Sequence, residues 1–265
     1  MKSKFIGLLN AAHFLPTMTV TTLTFILAVR TSNLTTALGI ALTFFSGQLI
    51  VGWSNDLIDF SDDLAHQRSH KPLVSGTIML SSLQLAIVLD SLLLLLLTIF
   101  GPLSGKYGLL HLLAIASALS YNLKLKRTLL SFLPYAISFG LLPLIILGAT
   151  NYPYQWWVPA IGALFGIGVH IANVFKDLEE DLESGIRGLP QIAGERLSRF
   201  ICTFCFGGSA LILYFQTDSV AALIILIGAI TFLFPLPRKI TFPLAMVLGL
   251  ATMLIFAIGL SSTNY

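Results

Sequence analysis

Charge is what this sequence has least of. Among its 265 residues only 10% are Asp, Glu, Lys or Arg, against 56% hydrophobic, and the mean hydropathy is +0.89. A water-soluble domain carries nearer about 25% charged residues, because its surface must be hydrated. A soluble domain is therefore excluded, and no nucleic-acid partner is expected. Cysteine is almost absent as well. Cys202 and Cys205 form a C-x-x-C inside an apolar run. With no further ligands and no exposed setting, the pair reads as two small apolar side chains on a buried helix, not as a metal or redox site. No small-residue cleavage site follows Met1-Lys2-Ser3-Lys4 and the apolar stretch from Phe5 to Val29. That stretch also exceeds a signal-peptide core, so a retained first helix is expected.

What is abundant is long apolar runs. A helix needs about 17–25 such residues to cross a hydrocarbon core. Nine spans are expected: Phe5–Val29, Leu34–Ser54, Leu80–Phe100, Leu103–Tyr121, Leu130–Ala149, Trp156–Val174, Phe200–Phe215, Val220–Phe234 and Ile240–Leu260. Lys106 trims the fourth, Gly207-Gly208 weakens the seventh, and Pro235 and Pro237 close the eighth. With the amino terminus placed in the cytoplasm, thirteen basic residues fall on that side. They are Lys2, Lys4, Arg68, Lys71, Lys124, Lys126, Arg127, Lys176, Arg187, Arg196, Arg199, Arg238 and Lys239, against only Arg30 and Lys106 opposite. That asymmetry is the positive-inside pattern, and it puts the carboxyl terminus on the other side.

Acidic residues are scarce outside two segments. Of the twelve, only Asp90 and Asp218 lie elsewhere; the others follow the second and sixth spans. The two segments also match each other. Asn55-Asp56-Leu57-Ile58-Asp59-Phe60-Ser61-Asp62-Asp63-Leu64 aligns without gaps on Asn173-Val174-Phe175-Lys176-Asp177-Leu178-Glu179-Glu180-Asp181-Leu182, both reading N-x-x-x-D-x-x-x-D-L. Four spans separate them, so both copies face one side. This predicts a parallel repeat within one domain, with units at about residues 5–121 and 130–234 and an extra helix at about 240–260.

On a helix, residues i, i+4 and i+8 stack about 5–6 Å apart. Asn55, Asp59 and Asp63 form one ladder with Asp56 beside it, and Asn173, Asp177 and Asp181 form the other. Like charges so stacked repel unless they are solvated or share a cation. Hard oxygen ligands suit Mg2+, which takes one or two carboxylates plus substrate phosphates and waters. A metal also inverts the sign of an acidic cluster, so that a diphosphate is attracted. Arg68, Lys71, Lys124, Lys126, Arg127, Lys176 and Arg187 lie nearby to share that neutralisation. Acids and bases on one rim above an apolar bundle suit an amphiphile with a diphosphate head and a hydrocarbon tail.

At these residues the chain resembles the UbiA superfamily of membrane-bound prenyltransferases. Asn55-Asp56-x-x-Asp59-x-x-x-Asp63 followed by Lys71-Pro72-Leu73-Val74-Ser75-Gly76 is similar to its first signature. Asp177-x-x-x-Asp181 followed by Gly185-Ile186-Arg187-x-Leu189-Pro190 is similar to the second. The resemblance implies an all-α polytopic fold of nine helices around a central cavity. It also implies transfer of a polyprenyl group from an isoprenyl diphosphate to a small acceptor, usually a phenolic or quinonoid ring, with Mg2+ as cofactor and membrane lipid as surroundings. By resemblance Asn55, Asp59, Asp63, Asn173, Asp177 and Asp181 hold the metal, and Asp56, Arg68, Lys71 and Arg187 assist with the diphosphate. In the family's Tyr–Lys loop, Tyr121 and Lys126 stand as the candidates, with Lys124 competing for the same role. Asn10 and His13 lie near the family's first-helix base.

Lesser signals remain. Asp90 in mid-span is a candidate functional acid, with a blander role beside polar neighbours as the alternative. His111 and His170 suit interhelical hydrogen bonds, and Gly162-x-x-x-Gly166 suits close helix packing. His66 and His70, four apart, raise a transition-metal site as a minor alternative. A transporter is the rival reading, but its inverted repeats and midplane sites fit poorly with acids gathered at one rim. The D-x-x-D-G-x-x-A-R run of phosphatidyl-type transferases is missing.

Overall fold

The computed structural model describes residues 2–153 and 155–260, without the side chains of Lys2, Ser3 and Lys176. Its α-helices are α1 Lys2–Ala11, α2 Phe14–Thr31, α3 Leu34–Ala65, α4 Leu80–Phe100, α5 Lys106–Leu123, α6 Leu133–Ala149, α7 Val158–Glu183, α8 Leu189–Thr217, α9 Ala222–Ile230 and α10 Arg238–Gly259. Two 3-10 turns, Leu125–Arg127 and Leu129–Phe132, join α5 to α6. Proline stands in the first turn of α6, α7 and α8, where its missing N–H leaves no bond unmade.

Seven of the described helices (α2, α3, α4, α6, α7, α8 and α10) are long and apolar enough to cross a membrane. The expected fourth and eighth spans are helical but fall outside that set. Helix α5 carries Lys106, His111, Ser117, Ser120 and Asn122, and α9 with its 3-10 extension covers only Ala222–Leu233. The main core gathers side chains of α2, α3, α6, α7, α8, α9 and α10, including Phe44, Phe165, Phe206 and Phe232. Helix α4 lies at the edge. Only Leu83, Asp90, Leu94 and Thr98, along one face, are buried, and Leu85, Leu89, Leu92 and Leu96 are exposed.

The first expected span is not one helix. It breaks at Ala12-His13, with His13 in the left-handed region at φ 52°. Pro16 has no N–H to give the Ala12 carbonyl; the Thr17 hydroxyl takes that carbonyl instead, at 2.7 Å. Gly52 of α3 sits against the break, where a Cβ would lie 2.6 Å from the Ala12 oxygen. Helix α7 approaches α6 as closely, because Gly162 and Gly166 leave no Cβ between it and the Phe139 and Tyr135 carbonyls. The first of these close approaches lies beside the charged end of the bundle; the second lies deeper, where Gly162 lines an apolar pocket.

Candidate functional site

Helices α3 and α7 each run past the apolar core, so each ladder continues the helix that carries it. Asp56 and Asp63 are buried, at 2% exposure each, while Asn55, Asp59, Asn173, Asp177 and Asp181 are half-buried. Asn55 Nδ2 donates to Asp59 Oδ2 at 3.1 Å across one helical turn. His13 Nε2, brought in by the helix break, lies 3.3 Å from Asn55 Oδ1 and 3.5 Å from Asp56 Oδ1.

The segment after α3 folds back over this ladder. Lys71 Nζ donates to Asp56 Oδ1 at 2.8 Å and lies 4.0 Å from Asp63 Oδ2. Burial opposes the charge on Lys71, yet the Asp56 carboxylate beside it wins and raises its pKa. Arg68 Nη1 donates to Asp63 Oδ1 at 2.7 Å, and its Nη2 donates to Ser184 Oγ at 2.7 Å and to the Glu180 carbonyl at 3.3 Å. One guanidinium thus grips the end of both acidic segments. The bond to Asp63 outweighs its partial burial and raises its pKa, keeping it charged.

The α5–α6 connection closes the space between the ladders. Lys126 turns inward, 8% exposed, and its Nζ donates to Asp59 Oδ1. Lys124, two residues earlier, is exposed. Tyr121 lies within electrostatic reach of Asp181, Asp59 and Asp177. Its ring meets Tyr135 edge-on at 5.2 Å and His170 at 5.5 Å. Tyr135 lies beside Asn173 and stacks with Phe139 at 6.3 Å, and Phe139 in turn meets Phe165 at 5.9 Å. An aromatic column therefore descends from the carboxylates to an apolar pocket lined by Leu23, Phe139, Trp157, Phe165, Met253 and Phe256, among others.

Asp181 is the most perturbed acid of the rim. Burial and then the charge of Asp177 push its pKa up to about 6, although Gln191, Arg68 and Lys126 pull the other way. Gln191 Nε2 donates to Asp181 Oδ2 at 2.8 Å. Arg187 is exposed, and among the described residues no hydrogen bond joins Arg187 or Lys124 to a carboxylate. The side chain of Lys176 lies outside the described residues.

Several neighbours of the ladders carried no sequence signal. Asn122 is 4% exposed, donates to the Val51 carbonyl at 2.9 Å and lies 3.4 Å from Asn55 Nδ2. Gln191 and Ser184 are likewise ordinary polar residues until the fold brings them to Asp181 and Arg68. The place of His13 was foreshadowed by Pro16 three residues on, a helix-start signal.

The lesser signals resolve plainly. Asp90 accepts a hydrogen bond from Ser46 Oγ at 2.9 Å. His111 packs on Phe44, ring centres 4.4 Å apart. Cys202 and Cys205 are free and buried. Helix α3 ends at Ala65, so His66 and His70 are not helical neighbours; His66 instead bonds the Asp62 carbonyl at 2.9 Å. Among the described residues no group of three or more His, Cys, Asp or Glu is gathered as a preformed metal cluster. Lys71, Arg68, Lys126 and Gln191 each donate to a carboxylate oxygen of the ladders. The donor set still fits a hard cation that needs few protein ligands, and Asp56 Oδ2 is buried without a partner.

The model of the UbiA prenyltransferase family matches residues 14–262. Among solved structures, one reported for digeranylgeranylglyceryl phosphate synthase covers 99% of this chain and 100% of its own, at 18% identity and a TM-score of 0.71. A UbiA homologue from Archaeoglobus fulgidus bound to GPP and Mg2+ covers 96% and 99%, at 15% identity and a TM-score of 0.73. The apo structure of a UbiA homologue from Aeropyrum pernix K1 covers 94% and 98%, at 18% identity and a TM-score of 0.70. At such identities the likeness concerns the fold. A search of curated proteins finds no significant match.

Proposed function

This chain belongs to the UbiA prenyltransferase family and is an integral membrane protein, and from that premise we propose that it moves a prenyl group from an allylic isoprenyl diphosphate to an aromatic, quinone-precursor-like acceptor at the carboxylate rim. The observation that carries the reading is the grip of Arg68 on Asp63, Ser184 and the Glu180 carbonyl. It supports a single head-group site shared by two acidic ladders.

Mg2+ would be held there by Asn55, Asp59, Asp63, Asn173, Asp177 and Asp181; the similar A. fulgidus homologue is bound to GPP and Mg2+. When bound, it supplies positive charge that offsets the diphosphate and the charge growing on the leaving oxygen. The chain's own bases do the rest of the binding. Lys71, Arg68 and Lys126, now paired with carboxylates, would exchange those partners for phosphate oxygens, with Arg187 and Lys124 at the rim. The allylic C–O bond breaks with its electron pair leaving on diphosphate. A new bond forms to the acceptor carbon, which then loses its proton. Tyr121 and Tyr135 offer π-faces to the allylic cation, and the aromatic column keeps water away while the tail descends into the apolar pocket. In this reading the rim is cytoplasmic, the carboxyl terminus lies opposite, and α1–α5 and α6–α9 are the two repeat units, with α10 added.

The test is purified protein with Mg2+, a panel of prenyl diphosphates and a panel of phenolic and quinonoid acceptors, read by mass spectrometry. Prenylated product and released diphosphate are expected, and both should cease when EDTA removes the metal. Failure of every donor to release diphosphate would overturn the proposal.

The tail pocket yields a second expectation. Thr252, 7% exposed, lines it. Thr252→Phe should fill the space and turn the preference toward shorter donors by about tenfold in kcat/KM, the scale on which apolar pockets discriminate. An unchanged chain-length profile would place the tail elsewhere.

A further inference from the structure

Helix α8, kinked at Gly194 where φ is 73°, begins at Leu189 after Gly188, a residue with no side chain to cap it. The first N–H groups of a helix have no partner within it. Here the cap comes from another segment: the Leu189 N–H donates to Ser131 Oγ at 2.9 Å. Ser131 lies in the 3-10 turn Leu129–Phe132, fully buried at 0% exposure. The same oxygen lies 3.0 Å from His170 Nε2, within hydrogen-bond distance. His170 is on α7, one turn before Asn173, and is 1% exposed. Three segments therefore meet at one hydroxyl.

The same junction holds the two side chains that touch the ladders from this side. A Cβ on Gly188 would lie 2.8 Å from the Lys126 carbonyl oxygen, 2.9 Å from Ser131 Oγ and 2.9 Å from Gln191 Oε1. The turn that carries Lys126 thus presses directly on the start of the helix that carries Gln191. Lys126 reaches Asp59 on α3, and Gln191 reaches Asp181 on α7. We propose that Ser131 is a positioning residue, capping α8 from outside so that Lys126 and Gln191 are set against the two ladders together. Its relevance to catalysis rests on the prenyl-transfer reading; its effect on Lys126 does not.

The experiment reads Lys126 directly. Metal-free protein in detergent is pulsed with an amine-acylating reagent, and modification of Lys126 and Lys124 is followed by peptide mass spectrometry. In Ser131→Ala, Lys126 modification should accelerate about fivefold, the ratio that loss of one ordinary helix cap supplies, while Lys124 stays constant. Gly188→Ala keeps the hydroxyl but wedges the two segments apart. It should act in the same direction, and it carries the test if Ser131→Ala does not fold. Ser131→Thr, which retains the hydroxyl, should restore protection. Under turnover, Ser131→Ala should cost less in a Lys126→Ala background than in the wild type, since coupled sites are not additive. Unchanged Lys126 protection, or equal acceleration at Lys124, overturns the proposal. A wild type without turnover would sink the transferase reading and leave the labelling result standing.

Discussion

Asp181→Asn is expected to lower prenyl transfer by about 10^2- to 10^3-fold, the usual cost of deleting one electrostatic contact to a transition state, and at the same time to stabilise the metal-free protein. The second effect follows from the same environment as the first. Burial and the charge of Asp177 raise the Asp181 pKa to about 6, from an ordinary value of 3.8. Between those two values the folded chain holds a proton that the unfolded chain has lost. The ionised carboxylate therefore costs the fold free energy at neutral pH, fully above about pH 6, and the cost fades as pH falls toward 4. The gap sets a ceiling of about 3 kcal/mol, which partial solvent access reduces to the order of 1 kcal/mol. Melts of metal-free Asp181→Asn near pH 7 should run higher by about 2–4 °C, with the difference shrinking as the buffer is made acidic. With Asp181 as a Mg2+ ligand, as proposed, proton and cation would compete for the same oxygens, and the wild type should need more Mg2+ for half-maximal rate below about pH 6. Asp59→Ala should lose transfer similarly and remain inserted. Wild-type rates in either variant would remove the ladders from the chemistry.

Lys126→Ala should cost about 10^2-fold in kcat/KM, whereas Lys124→Ala should remain within about twofold. The contrast comes from burial. Lys126 is 8% exposed with its ammonium on Asp59, and truncating one partner of a buried charge pair costs about 2–5 kcal/mol. Lys124 is exposed, and surface substitutions of that kind are usually within about 0.5 kcal/mol. The two rates with the donor diphosphate varied settle the matter. Equal losses would mean that both lysines reach the head group once substrate is bound.

That pair also marks how far the sequence could be read. The ladders were legible because helical periodicity alone aligns Asn55, Asp59 and Asp63, and again Asn173, Asp177 and Asp181. The nearby bases were legible as charges but not as contacts. Choosing between Lys124 and Lys126 requires the direction of a 3-10 turn, which has no period to read over three residues. Hydropathy along the first expected span is continuous, and it does not register a missing N–H at Pro16. Ser131, Gln191 and Asn122 were invisible for a different reason. Each is an unremarkable polar residue whose role depends on a partner more than sixty residues away or on another helix. Seven of the nine expected spans pass the length-and-hydropathy requirement, and the two that do not are the most polar, α5, and the shortest, α9.

The broken first helix has a bearing on the order in which this protein is built. Leu8 gives its carbonyl to Trp53 Nε1 at 2.9 Å, and Gly7 packs so tightly on Ile78 that a Cβ would lie 2.5 Å from it. With His13 and Lys71 on Asp56 and Arg68 on Asp63, these contacts tie much of the amino-terminal ladder to partners within the first 78 residues. The amino-terminal ladder can thus be seated while α7 is still on the ribosome, and Arg68, already anchored on Asp63, waits as the docking point for the segment that emerges more than a hundred residues later.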